Sequence, residues 1–147
     1  MSDLTTYLHD RVDGQILWHS AKARENKAKY HLFQIITIIA GSIVPLINVI
    51  DFLPFSTRVI SGALGSLITI ITSITQLKKY DENWIIYRKT VESLKNEKYL
   101  FLHDVGEYSS KVEQDKGRLF VQKIETILIS ESEMQDKQSV SKQDRKA

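Results

Sequence analysis

Cysteine is absent from this chain of 147 residues. The chain therefore has no disulfide framework, no cysteine-based zinc site and no thiol nucleophile. An excess of one charge is also absent, because 20 Lys and Arg stand against 18 Asp and Glu, for a formal net charge of +2. Such a balance does not indicate the basic patch of a nucleic-acid-binding protein. The first residues, MSDLTTYLHDRVDG, lack the basic start and apolar core of a cleavable signal peptide.

The common motifs of enzymes and cofactor sites are missing as well. The sequence has no HExxH, no glycine-rich phosphate loop and no GxSxG. Its four histidines form no pair at i, i+3 or i+4 spacing; they are His9, His19, His31 and His103. Asp104 and Glu107 are three residues apart, which is usual for a solvated helix face. We therefore predict no enzyme, no catalytic residue, no cofactor and no metal site.

Two apolar runs dominate the middle of the chain. Leu32–Ile50 and Val59–Leu77 each contain nineteen residues without a charge. At 1.5 Å per residue each run would form a helix of about 28 Å, close to the ~30 Å hydrocarbon core of a bilayer. We predict transmembrane helices over 32–53 and 59–77. The alternative is a helical hairpin buried inside a soluble bundle.

The connection between the two runs is short, so the two helices are expected to form an antiparallel hairpin. Pro54 is expected to help end the first helix, because proline interrupts the helical hydrogen-bond ladder. Ser56 or Thr57 can cap the second helix. We predict an external linker over 54–58.

Asp51 and Arg58 are the only charged residues between the runs. In one interpretation they form an interfacial ion pair or extend toward the headgroups. In the other they form charged rings at the outer mouth of an oligomer, where such rings bias ion selectivity. Because their signs are opposite, the sequence predicts neither a cation nor an anion preference.

Basic residues flank the two runs on the sides that face the chain termini. They are Lys22, Arg24, Lys27 and Lys29 before the first run, and Lys78, Lys79, Arg88 and Lys89 after the second. Between the runs the only basic residue is Arg58. By the positive-inside rule both termini are cytoplasmic. We predict a multi-pass membrane protein.

The flanking regions are predicted to be cytoplasmic and helical, within a chain long enough for one domain. Residues 1–31 form an N-terminal helix that continues into the membrane, because no Pro or Gly occurs between Gln15 and Ala40. Residues 78–130 form amphipathic helices that pack on something, in part with coiled-coil spacing. The polar composition of 131–147 predicts a disordered tail.

The polar residues of the second run lie on one side of the predicted helix. On a wheel of 100° per residue, eight of them fall within about 140° of one another. They are Ser61, Thr72, Gly65, Gln76, Thr69, Gly62, Ser73 and Ser66. Thr75 lies on the apolar side, where its hydroxyl can bond to its own backbone. A polar side without charge is not typical of a helix that lies flat on a membrane.

Two interpretations of this polar side remain open. Small residues four positions apart, such as Ser61 and Gly65, let helices approach closely and pack. Alternatively the side lines water in a pore, which accounts better for Thr69, Thr72 and Gln76. Two helices cannot enclose a pore, and a lone chain would leave this polar side against lipid. Both interpretations therefore predict a homo-oligomer.

The chain resembles the bacterial SLATT superfamily, the two-transmembrane domains associated with SMODS and SLOG proteins, and within it a stand-alone branch of unknown function. The resemblance covers residues 4–134 and rests on an ordered set of positions rather than on one diagnostic motif. In the first half these are Tyr7, Arg11, Gln15, Trp18, Lys22, Ala23, Asn26, Lys27, Tyr30 and Pro45. In the second half they are Trp84, Tyr87, Arg88, Glu92, Leu94 and Lys98, followed by FVQKIETIL.

The resemblance implies a bacterial membrane protein with two spans and cytoplasmic helices. For the superfamily the implied role is a pore-forming effector in defence or conflict systems, often beside nucleotide-signal enzymes or sensors. This sequence contains no sensor or nucleotide-binding domain, which puts direct gating by a nucleotide in doubt.

We therefore predict an all-α fold, a two-span transmembrane helical hairpin with long cytoplasmic helical extensions, assembled as a homo-oligomer. The predicted function is an ion-permeable pore, with the cytoplasmic helices as candidates for assembly and gating. The predicted pore-lining residues are Ser61, Gly65, Thr69, Thr72 and Gln76. The partners are further copies of the chain, the lipid bilayer and the permeant ions. The alternative is a non-conducting oligomeric membrane scaffold or partner-binding module.

Overall fold

The computed structural model describes the backbone of residues 2–49, 54–109 and 111–144, and the side chains of 4–47, 49, 59–109 and 111–137. All regular structure in these ranges is helical, which confirms the predicted all-α class there. The elements in chain order are α1 (Ser2–Thr6), a π-helix (Tyr7–Asp13), α2 (Gly14–Val49), α3 (Pro54–Lys78), α4 (Tyr80–Leu102), a 3₁₀ turn (Gly106–Tyr108) and α5 (Glu113–Asp144).

The chain divides into two compact units rather than the single domain expected from its length. The hairpin unit is Asn26–Asp81, and the terminal unit comprises the described residues of Met1–Glu25 and Glu82–Ala147. Both apolar runs belong to the hairpin unit, whereas the amphipathic helices that bury a core belong to the terminal unit. Because of this difference in composition, a chain of single-domain length forms two units.

Two helical stretches are long and apolar enough to cross a membrane, one within Leu4–Ile47 and one within Val59–Tyr108. Their apolar windows are almost entirely unburied within the chain. A helix in the centre of a soluble bundle would instead be mostly covered by its neighbours. The exposure of these windows therefore differs from what the soluble alternative predicts.

The long second helix follows the prediction, since α2 runs without a break from Gly14 to Val49 and includes Pro45. The start of α3 differs from the prediction. This helix begins at Pro54, so the predicted linker 54–58 is helical, and Ser56 and Thr57 lie inside the first turns. Proline suits the first helical position because its fixed φ matches the helix and its missing N–H has no partner there anyway.

Left-handed backbone positions mark the ends of α3 and α4. Lys79 has φ 49°, and its N–H donates to the Thr75 carbonyl at 3.0 Å, which closes α3. After α4, Asp104 has φ 54° and Gly106 has φ 68°. The connection between α4 and α5 is therefore short, and it contains the 3₁₀ turn Gly106–Tyr108.

The terminal unit has a closely packed apolar core. Its fully buried side chains come from the π-helix, α4, the 3₁₀ turn and α5; they are Val12, Leu94, Tyr108, Phe120 and Ile124. The ring of Phe101 stacks on Phe120 with 4.4 Å between centroids. The amphipathic patterns predicted around Leu94 and over 118–129 are confirmed by these contacts.

The last helix is longer than the sequence predicts. Residues 131–144 belong to α5, whereas their polar composition predicted a disordered tail from Glu131. Glu131 is only 8% exposed, because it packs in the terminal unit beside His19. The prediction of disorder used composition alone, and composition contains no information about a single buried polar contact.

Candidate functional site

One side of α3 packs against α2 within the hairpin unit. This half-buried stripe recurs every three or four residues and comprises Ser61, Leu64, Gly65, Ile68, Ile71 and Thr75. A matching stripe on α2 includes Phe33, Thr37 and Ala40, and Ala40 is only 6% exposed. Because α2 and α3 supply nearly all of this unit, the two stripes mark their mutual contact.

Aromatic contacts show that α2 and α3 are antiparallel. The ring of Phe33, in the first part of the α2 apolar run, stacks on Tyr80, which directly follows α3, with 5.9 Å between centroids. The ammonium of Lys29 lies 6.0 Å from the centroid of the same Tyr80 ring. The start of the first apolar run and the end of the second therefore lie side by side, as the short connection predicts.

The predicted pore-lining residues divide into two groups in the structure. Ser61 and Gly65 lie on the stripe that faces α2, whereas Thr69, Thr72 and Gln76 are exposed. The centre of the polar side is rotated roughly a quarter turn from the centre of the covered stripe, at 100° per residue. Most of the polar side is thus not covered by the helix that the chain itself supplies.

Five hydroxyl groups of α3 donate to the helix's own backbone. Each bonds to the carbonyl oxygen four residues earlier: Ser66 and Thr69 at 2.9 Å, and Thr72, Ser73 and Thr75 at 2.8 Å. The bond predicted for Thr75 is confirmed. Because each hydroxyl proton is used in this way, the exposed hydroxyls present oxygen lone pairs to their surroundings.

The glycines of the hairpin unit are not needed for the contact between α2 and α3. Among the residues that the structure describes, a Cβ atom built on Gly41, Gly62 or Gly65 would meet nothing within 4 Å. Small residues that bring two backbones together leave no such space. Within the described residues these glycines therefore have room for a larger side chain.

The rest of the hairpin surface is strongly apolar. On α3, Leu67 is 46%, Ile70 56% and Leu77 54% exposed, and on α2, Leu32 and Ile38 are exposed to a similar extent. A continuous apolar surface of this size needs lipid or protein to cover it. The hairpin unit thus has three distinct surfaces: the α2–α3 contact, an exposed polar side and an exposed apolar side.

The two predicted outer-mouth charges cannot be placed on these surfaces. Asp51 lies outside the described residues, and so does the side chain of Arg58. Among the described residues, no group of three or more His, Asp or Glu side chains could hold a metal ion. The exposed polar side of α3 is therefore the candidate site in the part of the chain that the structure describes.

A known family covers most of the chain. The family described as "Protein of unknown function (DUF4231)" matches residues 14–116, from the start of α2 to the first turn of α5. The match thus includes the whole hairpin unit. No curated protein and no solved structure matches the chain.

Proposed function

We propose that this chain, which belongs to the DUF4231 family, assembles as a homo-oligomer in the bacterial inner membrane and forms an ion-permeable pore. The observation that carries the proposal is the exposed polar side of α3, with Thr69, Thr72 and Gln76 outside the contact with α2. In a bilayer this side is more favourable against water or protein than against lipid, because hydrocarbon offers no partner to the hydroxyl lone pairs or to the Gln76 amide. In a ring of such helices, the polar side of each α3 faces a central axis that water can occupy.

In the proposed oligomer each copy contributes α3 to the wall and places α2 toward the lipid or the next copy. The oxygens of Thr69 and Thr72 and the amide of Gln76 face the axis. Their hydroxyl lone pairs and amide groups replace part of the hydration shell of a passing ion. Ser61 and Gly65 lie at the border between the axis and the α2–α3 contact.

The proposed membrane placement rests on length, apolarity and charge. The two candidate spans are long enough to cross a bilayer, and the basic residues are concentrated on the terminal side of both spans. That asymmetry supports cytoplasmic termini. The helices of the terminal unit then lie in the cytoplasm, where they are available to hold copies together and to gate the pore.

The resemblance to the SLATT superfamily supports the same proposal, because that superfamily's implied role is a pore-forming effector in defence systems. We extend this role to the chain as part of the proposal. The partners it requires are further copies of the chain, lipid and permeant ions, with no nucleic acid.

The proposal is tested by single-cysteine variants of the cysteine-free chain in a planar bilayer. Thr72→Cys places a thiol on the exposed polar side, and Thr75→Cys places one on the half-buried stripe. The two threonines make the same backbone hydrogen bond at 2.8 Å, so they are matched. A charged, water-soluble thiol reagent should change the current through Thr72→Cys and leave Thr75→Cys unaffected. Thr72→Arg should also change the conductance.

A non-conducting oligomeric scaffold or partner-binding module is the second candidate function, and one observation favours it. The exposed hydroxyls already donate to backbone carbonyls, so a dry contact with another copy leaves no hydroxyl proton without an acceptor. This function predicts stable oligomers that carry no current, with Thr72→Cys unreactive. Absence of current from wild-type oligomers would favour it over the pore.

A further inference from the structure

One end of the hairpin unit is basic. It is the end that holds the start of the first apolar run and the end of the second. Lys29 on α2 and Lys78, the last residue of α3, are both exposed there. In the flanking segments 22–31 and 78–89, eight Lys and Arg stand against three Asp and Glu. This local excess of positive charge attracts anions.

Aromatic packing brings the two lysines to the same end of the hairpin. The ring of Tyr80 stacks on Phe33 of α2, with 5.9 Å between centroids, and Nζ of Lys29 lies 6.0 Å from the centroid of Tyr80. Lys78 is only two residues before Tyr80 in the chain. A tyrosine suits a boundary between apolar and aqueous surroundings, because its ring is apolar and its hydroxyl forms hydrogen bonds.

Each of the two lysines has an exposed apolar side chain beside it on its own helix. Leu32 is 56% exposed and follows Lys29 by three residues, whereas Ile74 is 41% exposed and precedes Lys78 by four. These spacings place each pair on one side of its helix. The surface therefore changes from positive to aliphatic within about one helical turn. A soluble anion would cover only the positive part, whereas a phospholipid would cover both.

We infer that this end of the hairpin unit binds an anionic phospholipid, with the headgroup phosphate at Lys29 and Lys78 and an acyl chain against Leu32 and Ile74. The long lysine side chains can cover apolar surface while their ammonium groups reach the phosphate. The hydroxyl of Tyr80 can donate to the same headgroup. The inference rests on the proposed membrane placement and is independent of ion conduction.

The test is lipid selectivity of the full chain in phosphatidylcholine vesicles. Traces of acyl-chain spin-labelled phosphatidylglycerol or phosphatidylcholine are added, and electron paramagnetic resonance measures the motionally restricted fraction of each. At low salt the ratio of association constants should favour phosphatidylglycerol about twofold to fivefold. At about 1 M salt, where the Debye length is about 3 Å, the ratio should fall toward one. A ratio of one at low salt, or one unaffected by salt, would overturn the inference.

Paired variants assign the selectivity to the two lysines. Lys29→Gln/Lys78→Gln should lose at least about half of the preference for phosphatidylglycerol, whereas Lys29→Arg/Lys78→Arg should keep it, because the charge remains. Lys95→Gln/Lys111→Gln is the matched control, since it removes the same charge from two exposed positions of the terminal unit. It should behave as the wild type. Equal losses in the two glutamine variants would attribute the effect to overall charge and contradict the proposed site.

The same measurement distinguishes failure of this inference from failure of the proposed function. Wild-type selectivity in an oligomer that carries no current would support the lipid site and count against the pore alone. Restricted signals of equal strength from both lipids would overturn the lipid site alone. No restricted signal from either lipid would overturn the membrane placement and the lipid site together.

Discussion

At the scale of single residues, the phenol of Tyr108 connects the turn after α4 to the helices beside it. Tyr108 is fully buried, and its hydroxyl donates to Glu97 at 2.5 Å. The ammonium of Lys123 lies 3.5 Å from Glu97 and 2.9 Å from Glu107. Burial, and then the hydrogen bond to Glu97, raise the pKa of Tyr108 far above its ordinary value. The phenol is therefore a donor throughout the physiological pH range.

Tyr108→Phe should destabilise the terminal unit by about 1–3 kcal/mol, because it removes a donor from a nearly buried carboxylate. Free energies of unfolding from denaturant titration in detergent, followed by tryptophan fluorescence, measure the effect. Tyr99→Phe is the matched control, since Tyr99 is 59% exposed, and it should change the stability by less than about 0.5 kcal/mol. Equal effects of the two substitutions would contradict the role assigned to Tyr108.

Glu125 should make the terminal unit acid-sensitive. The guanidinium of Arg11 bonds to it at 3.1 Å and the hydroxyl of Tyr7 at 2.8 Å. The bond from Arg11 lowers the pKa of Glu125 below its ordinary value of 4.5, while burial and the bond to Glu125 raise the pKa of Tyr7 to about 12. A carboxyl group with a lowered pKa adds stability above its unfolded pKa, and this stability is lost as the pH falls through the folded pKa.

Glu125→Gln should therefore lower stability at neutral pH by less than about 1 kcal/mol, because the ion pair is partly solvated. As the pH falls through the lowered pKa of Glu125, the variant and the wild type should converge in stability. A series of denaturant titrations from neutral to acidic pH measures the difference. A difference in stability that persists at low pH would show that packing rather than charge is responsible. The stabilities of Arg11→Gln and the wild type should converge in the same way.

At the scale of elements, the two faces of α3 should differ in what they tolerate. Gly62 lies on the exposed polar side and Ala63 on the exposed apolar side, one residue apart. Gly62→Leu should weaken self-association about tenfold, which corresponds to about 1.4 kcal/mol, because a large side chain separates packed helices. Ala63→Leu should have little effect if its side faces lipid. Cross-linking of the protein in bilayers over a dilution series measures both; equal oligomer fractions would show that the polar side is not an interface.

The sequence predicts these elements well where the periodicity of apolar residues is strong. It predicts them poorly where a single residue determines the helix type or the helix end. The absence of Pro and Gly before Ala40 indicates α2, and the spacing around Phe120 indicates α5. No local signal distinguishes the π-helix Tyr7–Asp13 from ordinary helix, or the end of α3 at Lys79 from its continuation. The helical wheel identifies the polar side of α3, but it cannot show which part faces α2, because that depends on the partner helix.

Contacts between distant residues are the other part that the sequence leaves out. His19 and Glu131 carry no motif, and neither spacing nor composition connects them. Glu131 even falls at the start of the segment whose composition predicts disorder. A single buried polar contact is specified by packing in three dimensions, so it becomes visible only once the helices are placed.

At the scale of the whole molecule, the distribution of charge predicts a topology that can be measured. Basic residues surround the terminal ends of both candidate spans, whereas Arg58 is the only one between the two apolar runs. Near the ends of spans, such a bias determines orientation. Because the two spans share one short connection, the orientation of one span determines on which side of the membrane the connection and both termini lie.

The prediction is that an added thiol in the first turns of α3 is outside and one on α5 is inside. Because the wild type has no cysteine, Ser56→Cys and Ser132→Cys each carry one thiol. A membrane-impermeant thiol reagent added to spheroplasts should label Ser56→Cys, and it should label Ser132→Cys only after lysis. Ser132 lies on an exposed side of α5. Failure to label Ser132→Cys in spheroplasts would therefore reflect the membrane and not burial of the thiol. Labelling of both variants in lysed samples is the control for accessibility. Labelling of Ser132→Cys before lysis would reverse the topology, and it would place the terminal unit outside the cell.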